Sequence, residues 1–191
     1  MAGKYKIGIF GGTFDPVHLG HLHLASLAKD ALNLDQVRFL PCQISPHKIR
    51  TSPASSRDRL EMLHLATAEI PWAIVDDLEL RKNGPSYSYE TAETLTHRFP
   101  DTQLIWIMGG DQWDALPRWK NSECLASYVE FAVLSRGEPP KPRDGYTLHT
   151  IPGQHPASAT KIREAISSEN SPAWLQDNVM QYITSHRLYR L

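Results

Sequence analysis

The chain has 191 residues, 41% hydrophobic and 21% charged, with a formal net charge of −1. That length suits a single domain over residues 1–191 with its own core, with a small helical part from about residue 158. A charge near zero lacks the signature of a polyanion binder, so no nucleic-acid partner is expected and any phosphate chemistry needs a local cluster of cationic groups.

No apolar run is long enough to span a bilayer and no signal-peptide h-region is present, which predicts a cytoplasmic protein with no membrane partner. Cys42 and Cys124 share no CxxC spacing. They make neither a disulfide framework nor a zinc site, and both read as small buried apolar residues.

Lys6 to Phe10 reads as a strand that ends in Gly11-Gly12. His18 to about Asn33 carries Leu19, Leu22, Leu24, Ala25, Leu27, Ala28 and Leu32, the spacing of a helix with one wide apolar face. Gln36 to Pro41 is a second strand, and Ile44 to Ser56 is a polar loop holding Pro46 and Pro53. Arg57 to about Glu69 is a helix with Leu60, Leu63 and Ala66 on one side. A short strand follows at Trp72 to Asp76, then a helix from Ser86 to Arg98 closed by Phe99-Pro100. Gln103 to Met108 is the most strand-like stretch and ends at Gly109-Gly110-Asp111. Val129 to Ser135 and Leu148 to Ile151 are further strands, separated by an exposed loop from Gly137 to Gly145. From Ser158 onward the chain reads as two helices parted by Ser171-Pro172. This alternation predicts an α/β protein, a Rossmann-like doubly wound parallel sheet of about five or six strands with helices on both faces and C-terminal helices.

The first strand runs into Gly11-Gly12-Thr13-Phe14-Asp15-Pro16-Val17-His18-Leu19-Gly20-His21. Glycines at a strand's carboxyl end let backbone approach a ligand closely. The helix that follows offers free N–H groups and a positive dipole end to an anion. His18 and His21, three apart, share one helix face and can donate to phosphate oxygens. The other readings of such a pair are a zinc site and two structural histidines. Neither the GxxxxGK[ST] loop nor the GxGxxG fingerprint is present.

These residues resemble the N-terminal signature of the HxGH nucleotidyltransferase superfamily, with His18-Leu19-Gly20-His21 as the HxGH motif. Pro46-His47-Lys48 is similar to a loop of bacterial nicotinate-nucleotide adenylyltransferases. Gly109-Gly110-Asp111 with Leu116-Pro117-Arg118-Trp119 resembles their GxD and nicotinate-site segment, and Ser158-Ala159-Thr160-Lys161-Ile162-Arg163 their (S)SxxIR motif. The four stretches occur in the family's order over nearly the whole chain. Ala159 stands where the family often has a second hydroxyl residue, and Ser88 where relatives usually have threonine.

The resemblance implies transfer of AMP from ATP to nicotinate mononucleotide, giving deamido-NAD and pyrophosphate, with Mg2+ bound through the phosphates and no metal held by protein side chains. It implies catalytic roles for His18, His21 and Lys48. Around ATP it places Gly11, Gly12, Thr13, Phe14, His18, His21, Gly110, Asp111, Ser158, Thr160, Ile162 and Arg163. Around the mononucleotide it places Lys48, Ser88, Trp119 and Lys120.

Taken alone, several of these residues have two readings. Lys48 is a phosphate-neutralising loop lysine or a solvated one. Asp111 binds ribose hydroxyls or caps a helix. Trp119 stacks on a pyridinium or is a core residue. Ser158 and Thr160 cap a helix or, with Arg163, hold phosphate. No serine or cysteine lies in a nucleophile elbow, in keeping with direct attack by a phosphate.

A pantetheine-phosphate adenylyltransferase or a cytidylyltransferase would lack the PHK and SxxIR combination. A class I aminoacyl-tRNA synthetase fragment would need a KMSKS-type loop. A non-catalytic nucleotide-binding module is the remaining alternative. The choice between nicotinate and nicotinamide mononucleotide, and the oligomeric state, stay open at this level.

Overall fold

Strands and helices alternate through a computed structural model that describes residues 4–44, 53–135 and 137–190. The order is β1 (Tyr5–Gly12), α1 (Leu19–Leu32), β2 (Gln36–Pro41), α2 (Ser56–Thr67), β3 (Ala73–Val75), α3 (Ser88–Arg98) and β4 (Thr102–Gly109). Then come α4 (Gly110–Ala115), a 3-10 turn (Leu116–Arg118), α5 (Ser122–Tyr128), β5 (Glu130–Ser135), β6 (Leu148–Pro152), α6 (Ala159–Ser167) and α7 (Asp177–Ser185).

The six strands lie in the order β3-β2-β1-β4-β5-β6, and every neighbouring pair is parallel. The chain builds outward from β1 to β3, returns beside β1 as β4, and builds outward the other way. That reversal opens a crevice between the carboxyl ends of β1 and β4, where open α/β sheets bind ligands.

Both sheet faces are covered, and alternation along each strand divides the core in two. Ile105, Ile107, Ala132 and Leu134 face one side with Ala25 and Ala28 of α1, Met62 and Leu63 of α2, Ile162 of α6 and Val179 of α7. Leu104, Trp106, Met108, Phe131 and Val133 face the other with Ala92 and Leu95 of α3, Trp113 of α4 and Leu125 of α5.

The expected strands and helices are present, most with ends moved by one or two residues; the two C-terminal helices are shorter, α6 ending at Ser167 and α7 spanning Asp177–Ser185, with left-handed Glu169 and Trp174 between them. The third helix begins at Ser88, because the Ser86 hydroxyl accepts a hydrogen bond from the Gln43 N–H at 3.0 Å instead. Three short pieces between Gly110 and Tyr128, none longer than 7 residues, are additions to the expected list. One expectation is corrected: Cys42 is buried, but Cys124 is exposed on α5, since α5 buries Ser122 and Leu125 and turns Glu123 and Cys124 between them outward. No helix among the described residues is long and apolar enough to cross a membrane.

Candidate functional site

The crevice holds a cavity of about 930 Å³ that runs from the glycine loop after β1 to the carboxyl end of β4 and the start of α6. Close packing beneath the loop explains its glycines. A methyl group on Gly12 would lie 3.1 Å from the Phe14 ring, and one on Gly20 would lie 3.0 Å from His18 Nδ1. Phe14 itself holds a left-handed backbone, φ 50°, and the Asp15–Pro16 peptide is cis.

His18 is the N-cap of α1, in extended conformation. Its N–H donates to His21 Nδ1 at 3.2 Å. A neutral His21 with Nδ1 accepting carries its proton on Nε2. His18 Nδ1 is buried without a hydrogen-bond partner among the described residues. A stranded acceptor costs less than a stranded N–H, so we place the His18 proton on Nε2 as well. Burial first, and the nearby His155 second, depress the His18 pKa to about 4, so its imidazole is neutral at physiological pH.

The expectation of free N–H groups at the start of α1 is not met in full. The Leu19 N–H donates to the Trp174 carbonyl and the His21 N–H to the His18 carbonyl, each at 2.9 Å. Attraction for an anion is therefore shared between what remains of the helix start, the two imidazoles and the cations around them.

Two arginines grip the loop, one from α2 and one from α6. Arg59 of α2 is 1% exposed, and its guanidinium donates to the Thr13 carbonyl at 2.8 Å, the Ala54 carbonyl at 3.1 Å and the Ser56 hydroxyl at 3.3 Å. Arg163 of α6 donates to the Asp15 carbonyl at 2.7 Å. Ser158 is the N-cap of α6, yet its hydroxyl makes no capping bond; it lines the cavity with Thr160.

The opposite wall carries Ser88, Trp119 and Lys120. The Lys120 ammonium sits 4.1 Å above the Tyr87 ring. Trp119 is half-buried and packs on the core around Leu116. Glu79 lies buried at the base of the cavity. It accepts from the Thr91 hydroxyl at 2.8 Å, and burial pushes its pKa up.

The crevice thus brings together Gly11, Gly12, Thr13, Phe14, His18, His21, Ser88, Trp119, Lys120, Ser158, Thr160 and Arg163. Gly110, Asp111 and Ile162 are not on its wall. Asp111 is exposed in the first turn of α4, where Gly109 and not Asp111 is the N-cap. The Ile162 side chain is 3% exposed in the core. Lys48 lies outside the described residues.

Sequence reasoning passes over Asp15, Arg59 and Tyr189. The signal for Arg59 is its spacing, since it shares a helical stripe with the buried Met62, Leu63 and Ala66.

Residues 9–165 match the Cytidylyltransferase-like family. A protein of Listeria monocytogenes named probable nicotinate-nucleotide adenylyltransferase is 40% identical over 188 residues, 97% of this chain and 98% of that one. One of the same name from Bacillus cereus is 42% identical over 193 residues, 96% of this chain and 98% of the other. In fold, the chain superposes on a Plasmodium falciparum nicotinic acid mononucleotide adenylyltransferase complexed with APC, at a TM-score of 0.77 and 20% identity over 98% of both chains. A second structure of that enzyme, complexed with NaAD, gives 0.77 at 21% identity over 97% of both.

Proposed function

Because the chain belongs to the Cytidylyltransferase-like family, and within it to the nicotinate-nucleotide adenylyltransferases, we propose that it joins the AMP part of ATP to nicotinate mononucleotide. The products are deamido-NAD and pyrophosphate. The observation that carries this reading is the single crevice with His18, His21 and Arg163 on one wall and Ser88, Trp119 and Lys120 on the other.

The chemistry follows from that arrangement. A phosphate oxygen of the mononucleotide attacks the α-phosphorus of ATP in line. A new P–O bond forms as the bond to pyrophosphate breaks. The attacking group is already an anion, so no general base and no covalent enzyme intermediate are needed. The barrier is lowered by positioning and by stabilising charge on the transferring group. The Nε2–H groups of His18 and His21 donate to phosphate oxygens, and Arg163 holds the phosphates from α6. Trp119 offers its ring face to the cationic pyridinium. Lys48 supplies a further cation, as the family resemblance implies.

Among the described residues no cluster of three or more His, Cys, Asp or Glu side chains is placed to hold a metal ion. The cavity lining combines the imidazoles of His18 and His21 and the cations Arg163 and Lys120 with the carboxylates of Asp15 and Glu79. The family resemblance implies a magnesium ion carried on the oxygens of ATP, where it would supply neutralising charge to the leaving pyrophosphate.

The test is pyrophosphate release from ATP with nicotinate or nicotinamide mononucleotide as the second substrate. Release with the nicotinate nucleotide, faster than with the amide, is expected. Absence of release with either would refute the assignment.

A further inference from the structure

Asp15 places a carboxylate in the wall of a cavity read here as a phosphate site, next to the arginine that would hold the phosphates. Left to itself, such a carboxylate would repel a triphosphate and compete for the guanidinium, since a bidentate arginine–carboxylate pair is the favoured geometry. The structure holds it otherwise. One carboxylate oxygen, Oδ1, accepts from the Tyr189 hydroxyl at 2.8 Å and from the Ala54 N–H at 3.0 Å. The other, Oδ2, stands 3.8 Å from Arg163 Nη1, a loose ion pair that is too long for a hydrogen bond. That nitrogen is given to the Asp15 carbonyl, at 2.7 Å. The second amino group of Arg163 meets the Thr160 hydroxyl at 3.5 Å, at the edge of contact.

Tyr189 is built for this role. It lies 174 residues from Asp15 in the chain, beyond α7, in a left-handed conformation with φ 62°. Burial, and then the Asp15 charge, push its phenol pKa far up, so the hydroxyl keeps its proton and donates.

We propose that Tyr189 is a positioning residue for the ATP site: by occupying Asp15, its hydroxyl keeps the Asp15–Arg163 ion pair loose, without a direct side-chain hydrogen bond, and leaves the guanidinium available to phosphate. Without the hydroxyl, Asp15 turns towards Arg163, the pair closes, and ATP loses a ligand. The inference rests on the reading of this cavity as an ATP site.

Tyr189→Phe removes one oxygen and keeps the ring, so packing is retained. ATP binding by calorimetric titration should weaken about tenfold, the scale of one hydrogen bond to a charged group. The Michaelis constant for the mononucleotide should move little, and the melting temperature by only a few degrees. The decisive variant is Asp15→Asn in the Tyr189→Phe background. An amide cannot form an ion pair with Arg163, so ATP affinity should return towards the wild-type value. A merely structural role for Tyr189 requires the opposite, a double variant no better than Tyr189→Phe. Unchanged ATP affinity in Tyr189→Phe, a Tyr189→Phe protein that does not fold, or a double variant without recovery overturns the proposal. ATP binding is read separately from turnover, so wild-type protein that binds ATP but releases no pyrophosphate counts against the transferase reading and leaves this test intact.

Discussion

The imidazole rings of His18 and His21 lie face to face, 3.7 Å between centroids and 19° from parallel. The His18 N–H donating to His21 Nδ1 holds them so. Two imidazolium ions could not share that spacing without strong repulsion, so the stack favours two neutral donors over two charges. Phe14 closes it from the His21 side, edge-on at 5.0 Å. The pair is thus a rigid fork pointing into the crevice, supported by the loop that precedes it.

His21→Ala should lower turnover on the order of a hundredfold to a thousandfold, the usual cost of losing one charge-stabilising donor. The variant also loses the acceptor for the His18 N–H, which costs about 0.5–2 kcal/mol of stability as a lost cap. Steady-state kinetics beside a thermal melt check this. Near-normal turnover would remove His21 from the phosphate site.

The His18 pKa gives a pH dependence of defined sign. It lies near 4 in the fold, against 6.5 for the ordinary imidazole. Above about pH 6.5 neither state binds the proton and this group adds no slope. As pH falls below that, the unfolded chain takes up a proton that the folded one refuses until about pH 4, so stability drops across this window. The slope is at most about 1.4 kcal/mol per pH unit for one proton. Urea titrations from neutral to mildly acidic pH should show this loss, and it should be smaller in His18→Gln. An equal slope in the two proteins would mean that His18 is not the group responsible.

Trp119→Ala should raise the Michaelis constant for the mononucleotide about twofold to thirtyfold, corresponding to the roughly 0.5–2 kcal/mol of a ring–cation contact. The constant for ATP should stay close to wild type, because the two histidines and Arg163 lie on the other wall. Trp119 is only half-buried, so the stability loss should stay below the roughly 3–5 kcal/mol of a fully buried Trp. A collapsed melting temperature with a normal mononucleotide constant would identify it as a core residue.

Lys48→Ala should slow turnover and weaken use of ATP while changing stability by no more than about 0.5 kcal/mol, as loop surface changes usually do. Kinetics and a melting curve on one preparation decide it. A large fall in melting temperature would show that Lys48 is structural.

The doubly wound sheet is legible in the sequence because each strand is a short apolar run set off by glycine, proline or a helical stripe. The segment from Gly110 to Tyr128 is not, because its three pieces are 6, 3 and 7 residues long and too short to show a period of 3.6. The glycine loop, both histidines and the Ser158 to Arg163 stretch are legible because their chemistry is local. The supports of the loop are not. Arg59 reaches Thr13 across 46 residues and Tyr189 reaches Asp15 across 174; contacts of that span leave no spacing to detect. Arg59 also resembles any polar residue near a helix start, and only its place on the buried stripe of α2 sets it apart.

The capping of α1 by the Trp174 carbonyl, 2.9 Å from the Leu19 N–H, bears on how this protein can change over generations. The acceptor is main chain, so the bond itself needs no particular side chain at 174, although the left-handed backbone there, φ 70°, disfavours β-branched residues. Insertion or deletion is another matter. One residue more or fewer between the end of α6 at Ser167 and the start of α7 at Asp177 would carry that carbonyl out of register and leave the first turn of α1 with a stranded donor. Drift within this connector should therefore be fixed in length, and restricted in identity where Leu175 packs on the core and the Gln176 amide donates to the Ala66 carbonyl.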